Sequence, residues 1–205
     1  MKPLDIPLQI EPMAVADIPE VMALERLSYA MTWPQKAYDY ELTQNKLAHY
    51  YVLRVADQQS TGPAAIAGDN VRSDLLAAAG GRAPIIGLAG FWLMVDQIHI
   101  STIAVHPDWR RLGLGEWLLV TLLETGQSLG AETATLEVRP SNLAAIALYR
   151  KYDFRKAGCR RRYYTDNNED ALILTTPPLA LPDYQTMFQQ RKAALAQRLA
   201  QMKEA

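Results

Sequence analysis

Apolar residues recur along this chain with two spacings, one helical and one alternating, and the switches between them predict its elements. After a short opening strand at 8–11 comes Asp17-Ile18-Pro19-Glu20. An aspartate cap, an early proline and a glutamate three residues on predict a helix running to about Tyr29. Trp33 precedes Pro34 and is pushed toward extended backbone, which separates that helix from a second, Gln35 to about Asn45. A strand from His49 to Ala56 follows. Two runs dense in β-branched and aromatic residues, 85–95 and 98–105, are separated only by Asp96-Gln97 and predict an antiparallel hairpin.

Helical spacing returns from about Gly115 to Leu129, with Gly130 placed to close the helix. The strand at 133–138 then alternates, with Ala134, Leu136 and Val138 on one face and Glu137 on the other. Pro140 ends it, Ser141 can cap a helix reaching about Tyr152, and strands are expected at 155–164 and 171–175. This order predicts an α/β or α+β domain over 1–176 with a mixed central sheet flanked by helices. Residues 57–84, rich in Ala, Gly, Asp and Ser, read as a surface insertion. A proline-rich linker at 175–183 leads to an amphipathic C-terminal helix from near Tyr184. Its Met187, Phe188, Leu195, Leu199 and Met202 fall mostly on one stripe.

Composition narrows the function classes. The 205 residues suffice for one generous domain, and 49% apolar with 21% charged residues is ordinary globular chemistry. A formal net charge of −1 draws the chain toward neither nucleic acid nor an anionic membrane. One cysteine, Cys159, excludes a disulfide framework within the chain. The first residues lack the apolar core of a signal peptide and no apolar run reaches ~18 residues, so the expected location is the cytoplasm. His49, His99 and His106 show no metal-ligand spacing, and no metal is expected. The oligomeric state is left open.

One loop carries candidate chemistry. Arg110-Arg111-Leu112-Gly113-Leu114-Gly115-Glu116 lies between a strand ending at Val105 and a helix, the parts of an anion site. It is neither the G-x-G-x-x-G fingerprint, since Leu118 stands three after Gly115, nor a phosphate loop ending in G-K-[ST]. Taken alone, it equally fits a plain turn with two solvated arginines.

The wider context adds specific matches. The run I-A-V-H-P-D-W-R-R-L-G-L-G, followed by L-E-V-R-P-S-N-L-A-A-I-A-L-Y-R-K-Y-D-F, resembles the GCN5-related N-acetyltransferase (GNAT) superfamily. Within it the chain looks most like the bacterial ribosomal-protein-alanine N-acetyltransferases. The similarity covers roughly 8–56 and 85–176, and R-R-R-Y-Y-T-D-N-N-E-D-A-L-I-L resembles that group's closing hairpin. The resemblance implies acetyl-CoA as cosubstrate, with its pyrophosphate on the loop from Arg110 to Glu116. Its pantetheine arm would lie along Ile103, Ala104 and Val105, with Asn142 hydrogen-bonded to it. The acetyl group would go by direct transfer to an N-terminal α-amine, here expected on an alanine-starting protein of the small ribosomal subunit.

Acetyl transfer needs a neutral amine, a polarised thioester carbonyl and a proton for the departing thiolate. A peptide α-amine has pKa ~7.7–8.0, so a modest base suffices. Periodicity alone makes Glu137 an outward-facing strand glutamate, and the resemblance makes it the general base. Tyr149, seven residues after Asn142 on one helical face, would be a core aromatic by spacing and the general acid by resemblance. A main-chain N–H near Ile103 could bind the thioester oxygen. Tyr29, Trp33 and Tyr38 match the family's peptide entrance, with Arg160-Arg161-Arg162-Tyr163-Tyr164 opening the closing hairpin. Tyr29, Trp33 and Tyr163 are the expected acceptor contacts, although core packing and a solvated arginine face account for the same residues. His99 reads first as a structural histidine. Cys159, beside the arginine run but outside the matched motifs, reads as buried or inert. Two other functions remain open, a lysine or small-amine acetyltransferase and a non-catalytic acyl-CoA-binding adaptor docking a partner through the C-terminal helix.

Overall fold

The computed structural model describes residues 8–55 and 83–204, without the side chains of 202–204. The expected insertion at 57–84, apart from its last two residues, and Met202 of the C-terminal stripe lie outside what is described. In chain order the elements are β1 (Leu8–Pro12), α1 (Ile18–Ser28), α2 (Gln35–Thr43), β2 (Ala48–Val55), β3 (Ile85–Met94), β4 (Gln97–Val105) and α3 (Leu114–Ser128). Then come β5 (Thr133–Val138), α4 (Leu143–Lys151), β6 (Arg155–Tyr164), β7 (Glu169–Thr175) and α5 (Pro182–Glu204). The strands form one mixed sheet in the order β1-β2-β3-β4-β5-β7-β6, in which only the β4–β5 pair is parallel.

Helices cover both faces, and this explains the unbroken apolar run that opens β3. Its first seven residues, Ile85 to Phe91, are all buried, as expected of a strand covered on both sides. On one face Ile18, Val21 and Leu24 of α1 and Tyr38 of α2 pack with Val52, Leu88 and Ala104. On the other, Leu114, Leu118, Leu119, Leu122 and Leu123 give α3 a continuous stripe against Leu53, Phe91 and Ile98. α3 crosses β4 closely at Gly126, where a Cβ would fall 2.7 Å from Ile98 Cγ2.

The C-terminal segment belongs to this second core. Leu179 is buried and its N–H donates to Glu132 O at 2.7 Å, while Tyr184, Phe188 and Leu195 of α5 pack among residues of α3 and α4. The expected linker is therefore packed backbone, and Phe188 and Leu195 of the α5 stripe are buried within their own chain, with Met187 and Leu199 partly so. No described helix is long and apolar enough to cross a membrane.

Three local expectations shift. The hairpin turn is Val95-Asp96 rather than Asp96-Gln97, because Met94 pairs with Gln97; the exposed Val95 takes a left-handed φ of 59° to close it. Asp17 does not cap α1 with its side chain. It sits in a 3₁₀ turn (Val15–Asp17) where its carboxylate accepts from Ala14 N–H and pairs with buried Arg54. The cap of α4 is Asn142 rather than Ser141, its Oδ1 accepting from Ala145 N–H at 3.1 Å.

Candidate active site

The site begins where two strands stop pairing. β4 and β5 run in register from Gln97↔Thr133 to Ile100↔Leu136 and no further. On the other side of β4, Ser101 is an extra residue between the pairs Ile100↔Phe91 and Thr102↔Gly90. A bulge of this kind bends a strand, and beyond it β4 leaves β5. Residues 101–105 and Glu137-Val138 thus border a gap in the sheet.

Ladder parity decides which polar groups face that gap. His106 N–H donates to Ile86 O at 2.9 Å, so alternate residues Ala104 and Thr102 also turn their main-chain groups to β3. Ile103 and Val105 turn theirs outward. Their carbonyls are taken, by Tyr29 OH at 2.9 Å and Arg110 Nε at 3.0 Å respectively. Their N–H groups point into the gap. Of the three residues expected along the arm, Ala104 contributes only its buried side chain to the core.

The basic loop lies at the end of this gap. Arg111 and Gly113 have left-handed φ values of 68° and 84°, and Gly113 is the N-cap of α3. Trp117 N–H donating to Gly113 O at 2.9 Å is the first rung of the helix. The N–H groups of Leu114, Gly115 and Glu116 therefore have no acceptor within it. Leu114 and Leu112 point their side chains into the core. A Cβ on Gly115 would lie 3.7 Å from Val105 Cγ2 and 3.9 Å from Leu148 Cδ2, so its absence opens space between β4 and α4. The side chain of Glu116 turns away from the loop, accepting from Lys151 Nζ, Tyr152 OH and Arg198 Nη2 at 3.1, 3.0 and 2.8 Å. Only its N–H remains for an anion.

Glu137 stands on β5 one residue past the parting. Its Oε2 is 2.6 Å from His99 Nε2 and its Oε1 is 3.0 Å from Arg160 Nε. The His99 hydrogen bond, aided by Arg160 and opposed by burial, holds this carboxyl below its ordinary value. His99 itself packs against Trp92, ring centroids 5.6 Å apart, and Trp92 stacks on Trp33 at 5.9 Å. A wall thus runs Trp33, Trp92, His99, Glu137 and Arg160 to Tyr163, whose ring lies 5.6 Å from the Arg160 guanidinium.

Tyr149, from α4, is buried against Phe154. Burial, with lesser contributions from the neighbouring phenols of Tyr29 and Tyr164, pushes its hydroxyl well above the usual phenol range. Tyr29 is bonded to Thr102 Oγ1 at 2.8 Å as well as to Ile103 O, and burial pushes it up to about 12. The segment after α1 reaches the β6–β7 turn, where Thr165 Oγ1 donates to Met31 Sδ at 3.5 Å.

The structure thus gathers Glu137, Tyr149, Tyr29, Trp33 and the inner edge of β4 around one gap, with the Gly113 loop at its end. Tyr38 is buried in the core behind Trp33, ring centroids 5.7 Å apart, its OH donating to Glu25 Oε1 at 2.8 Å. Cys159 is exposed on edge strand β6 rather than buried, its thiol 3.7 Å from Asp170. Sequence reasoning missed three partners. Trp92 completes the aromatic wall. Arg139 lies 3.8 Å from the Tyr164 ring centroid and, through Asp166 and Glu169, ties the β6–β7 hairpin to the end of β5. Buried Glu25 holds Trp33 through a 3.1 Å bond from its N–H. A glutamate on the apolar stripe of α1, four residues before Tyr29, was the available signal for the last.

Known proteins resemble this chain in sequence and in fold. A putative [ribosomal protein bS18]-alanine N-acetyltransferase of Bacillus subtilis is 32% identical over 162 residues, 79% of this chain and 90% of that protein. The [ribosomal protein bS18]-alanine N-acetyltransferase of Escherichia coli is 30% identical over 180 residues, 82% of this chain and 96% of that protein. The crystal structure of the Escherichia coli ribosomal-protein-S18-alanine N-acetyltransferase superposes with a TM-score of 0.64 at 29% identity. That superposition covers 84% of this chain and 94% of the other. The acetyltransferase (GNAT) family matches residues 18–154, so the loop, the parted strands and both candidate catalytic residues all fall within it, and the chain belongs to that family of acetyl-transfer enzymes.

Proposed function

We propose that this enzyme transfers the acetyl group of acetyl-CoA to the N-terminal α-amine of a protein, an alanine-starting protein of the small ribosomal subunit. The observation that carries the reading is the parting of β4 from β5, with free N–H groups on one side and the Glu137 carboxylate on the other. Acetyl-CoA fits the donor set. The N–H groups of Leu114, Gly115 and Glu116 with Arg110 and Arg111 suit its pyrophosphate, and the N–H groups of Ile103 and Val105 suit an arm of amides. The Asn142 side-chain NH₂ is left to donate, since only its Oδ1 caps α4.

When bound, acetyl-CoA supplies an activated acyl carbon. The amine nitrogen bonds to that carbon as the carbon–sulfur bond breaks. Glu137, ionised at neutral pH, accepts the amine proton directly or through water, and His99 and Arg160 keep the carboxylate in place. An N–H of the parted β4 edge faces the oxygen on which charge develops. Tyr149 stays protonated throughout the neutral range and gives its proton to the leaving sulfur. The burial that raises the phenol acts in the same direction on a thiolate beside it, which favours protonation of the sulfur. Trp33, Tyr29 and Tyr163 border the approach of the peptide.

The test is to incubate the enzyme with acetyl-CoA and a peptide bearing the N-terminus of such a protein, and to weigh the product. A gain of one acetyl group, abolished when the α-amine is blocked beforehand, supports the reading. A gain that survives blocking would move the acceptor to lysine. No gain would remove it.

A further inference from the structure

The pyrophosphate assigned to the head of α3 has a carboxylate beside it. Glu116 occupies the first turn of that helix, where its negative charge competes with an incoming phosphate for the same positive helix end. It is nearly excluded from water, its side chain only 5% exposed. Burial pushes its carboxyl up, and hydrogen bonds from Arg198, Lys151 and Tyr152 outweigh this and hold it below its ordinary value. One of the two neutralising cations, Arg198, comes from the C-terminal helix, 82 residues away in sequence. The same turns of α5 lie against the loop: Leu195 Cδ1 and Leu199 Cδ2 are 3.3 and 3.8 Å from where a Cβ of Gly113 would stand. Lys192 pairs with Glu124 further along α3.

We propose that Arg198 is a positioning residue for the acetyl-CoA diphosphate. It offsets the Glu116 charge and turns that carboxylate away from the head of α3, leaving the N–H groups to the phosphates. The inference rests on the acetyl-CoA reading given above. Without Arg198, Glu116 keeps only Lys151 and Tyr152, and the anion site faces one positive charge fewer. The effect is electrostatic, so it shrinks at high salt. It also vanishes for a donor without phosphates.

The experiment compares the full-length enzyme with Arg198→Met, Arg198→Lys, and Arg198→Met combined with Glu116→Gln, using acetyl-CoA and acetylpantetheine as donors. Arg198 is half-exposed, and circular dichroism verifies that each variant is folded. At low salt Arg198→Met should raise KM and Kd for acetyl-CoA about fivefold, with kcat within twofold of the parent. Lysine should retain most of the affinity, and Glu116→Gln should restore it in the methionine background. With acetylpantetheine, kcat/KM should be the same with and without Arg198. An unchanged KM for acetyl-CoA overturns the inference, as does an equal loss with both donors, which would make Arg198 merely structural. Failure of the parent enzyme to bind acetyl-CoA overturns the coenzyme reading itself.

Discussion

His99 Nε2 and Glu137 Oε2 meet at 2.6 Å at the point where β4 and β5 separate. His99 stands opposite Thr135, so Glu137 is its diagonal neighbour on the same face of the sheet, two residues on. Up to that point the ladder positions both side chains. Beyond it the strands diverge and leave the far side of the carboxylate to Arg160 and the gap.

This contact fixes the pH behaviour of the proposed base. The His99 bond lowers the Glu137 carboxyl from 4.5, so the group is already ionised well below neutral pH. The acid limb of kcat/KM should then follow the acceptor amine, at ~7.7–8.0, and not a carboxylate. A peptide whose amine has a lower pKa should shift that limb down by the same amount; a limb that stays fixed would assign it to the enzyme. Replacing Glu137 by Gln should lower kcat about 10²–10⁴-fold. The sign for stability is the same. The folded-state carboxyl is depressed, so its contribution is present above 4.5 and is lost as pH falls through the depressed value.

Tyr149 tests the other end of the transfer. Its hydroxyl is raised by burial and stays protonated, and the ring packs on Phe154 at 5.6 Å. Tyr149→Phe keeps that packing and removes only the hydroxyl that would supply the proton. Turnover should fall about 10²-fold or more while acetyl-CoA Kd changes less than twofold. Equal turnover would make Tyr149 a packing residue.

How much of this was legible in the sequence depends on the range of the force involved. The strand at 133–138 matches its expected bounds because alternation and Pro140 are local signals, and the strand at 155–164 also matches. The C-terminal helix begins at Pro182, two residues before the expected Tyr184, since proline is tolerated in a first turn. The capping of α1 was misread because Arg54, from a distant strand, outcompetes the helix end for the Asp17 carboxylate. The motifs nominate Glu137 and Tyr149 as candidates, but they do not reveal the Glu137–His99 contact. That contact depends on the parallel register of β4 with β5, which no local pattern encodes. The same holds for the grip of Arg198 on Glu116, which needs α5 folded back on α3.

Tyr29 joins the acceptor side to the strand edge. Its hydroxyl donates to Ile103 O and lies 2.8 Å from Thr102 Oγ1, and it is pushed up to about 12 by burial, so it remains a donor at all working pH values. Tyr29→Phe should cost about 1 kcal/mol and lower the thermal midpoint by roughly 2–4 °C. Because the bond also steadies the Ile103 peptide, kcat should fall further than stability alone accounts for. A variant that loses stability but keeps full turnover would confine Tyr29 to structure.

The two loop glycines should separate folding from binding. Gly113 has a left-handed φ of 84°, and alanine there carries a strain of about 1–2 kcal/mol, so Gly113→Ala should lower the thermal midpoint by about 3–6 °C and weaken acetyl-CoA binding as well. Gly115 lies within α3 in ordinary helical backbone, and a Cβ there makes only normal contacts with Val105 and Leu148. Gly115→Ala should leave the midpoint unchanged or raise it slightly, since alanine restricts the unfolded chain. Its methyl group nevertheless enters the space between β4 and α4 through which the coenzyme would approach the backbone. KM for acetyl-CoA should therefore rise several-fold in a protein as stable as the parent. A Gly115→Ala enzyme with unchanged KM would show that the ligand does not pass over this residue, and would move the diphosphate toward Arg110 and Arg111.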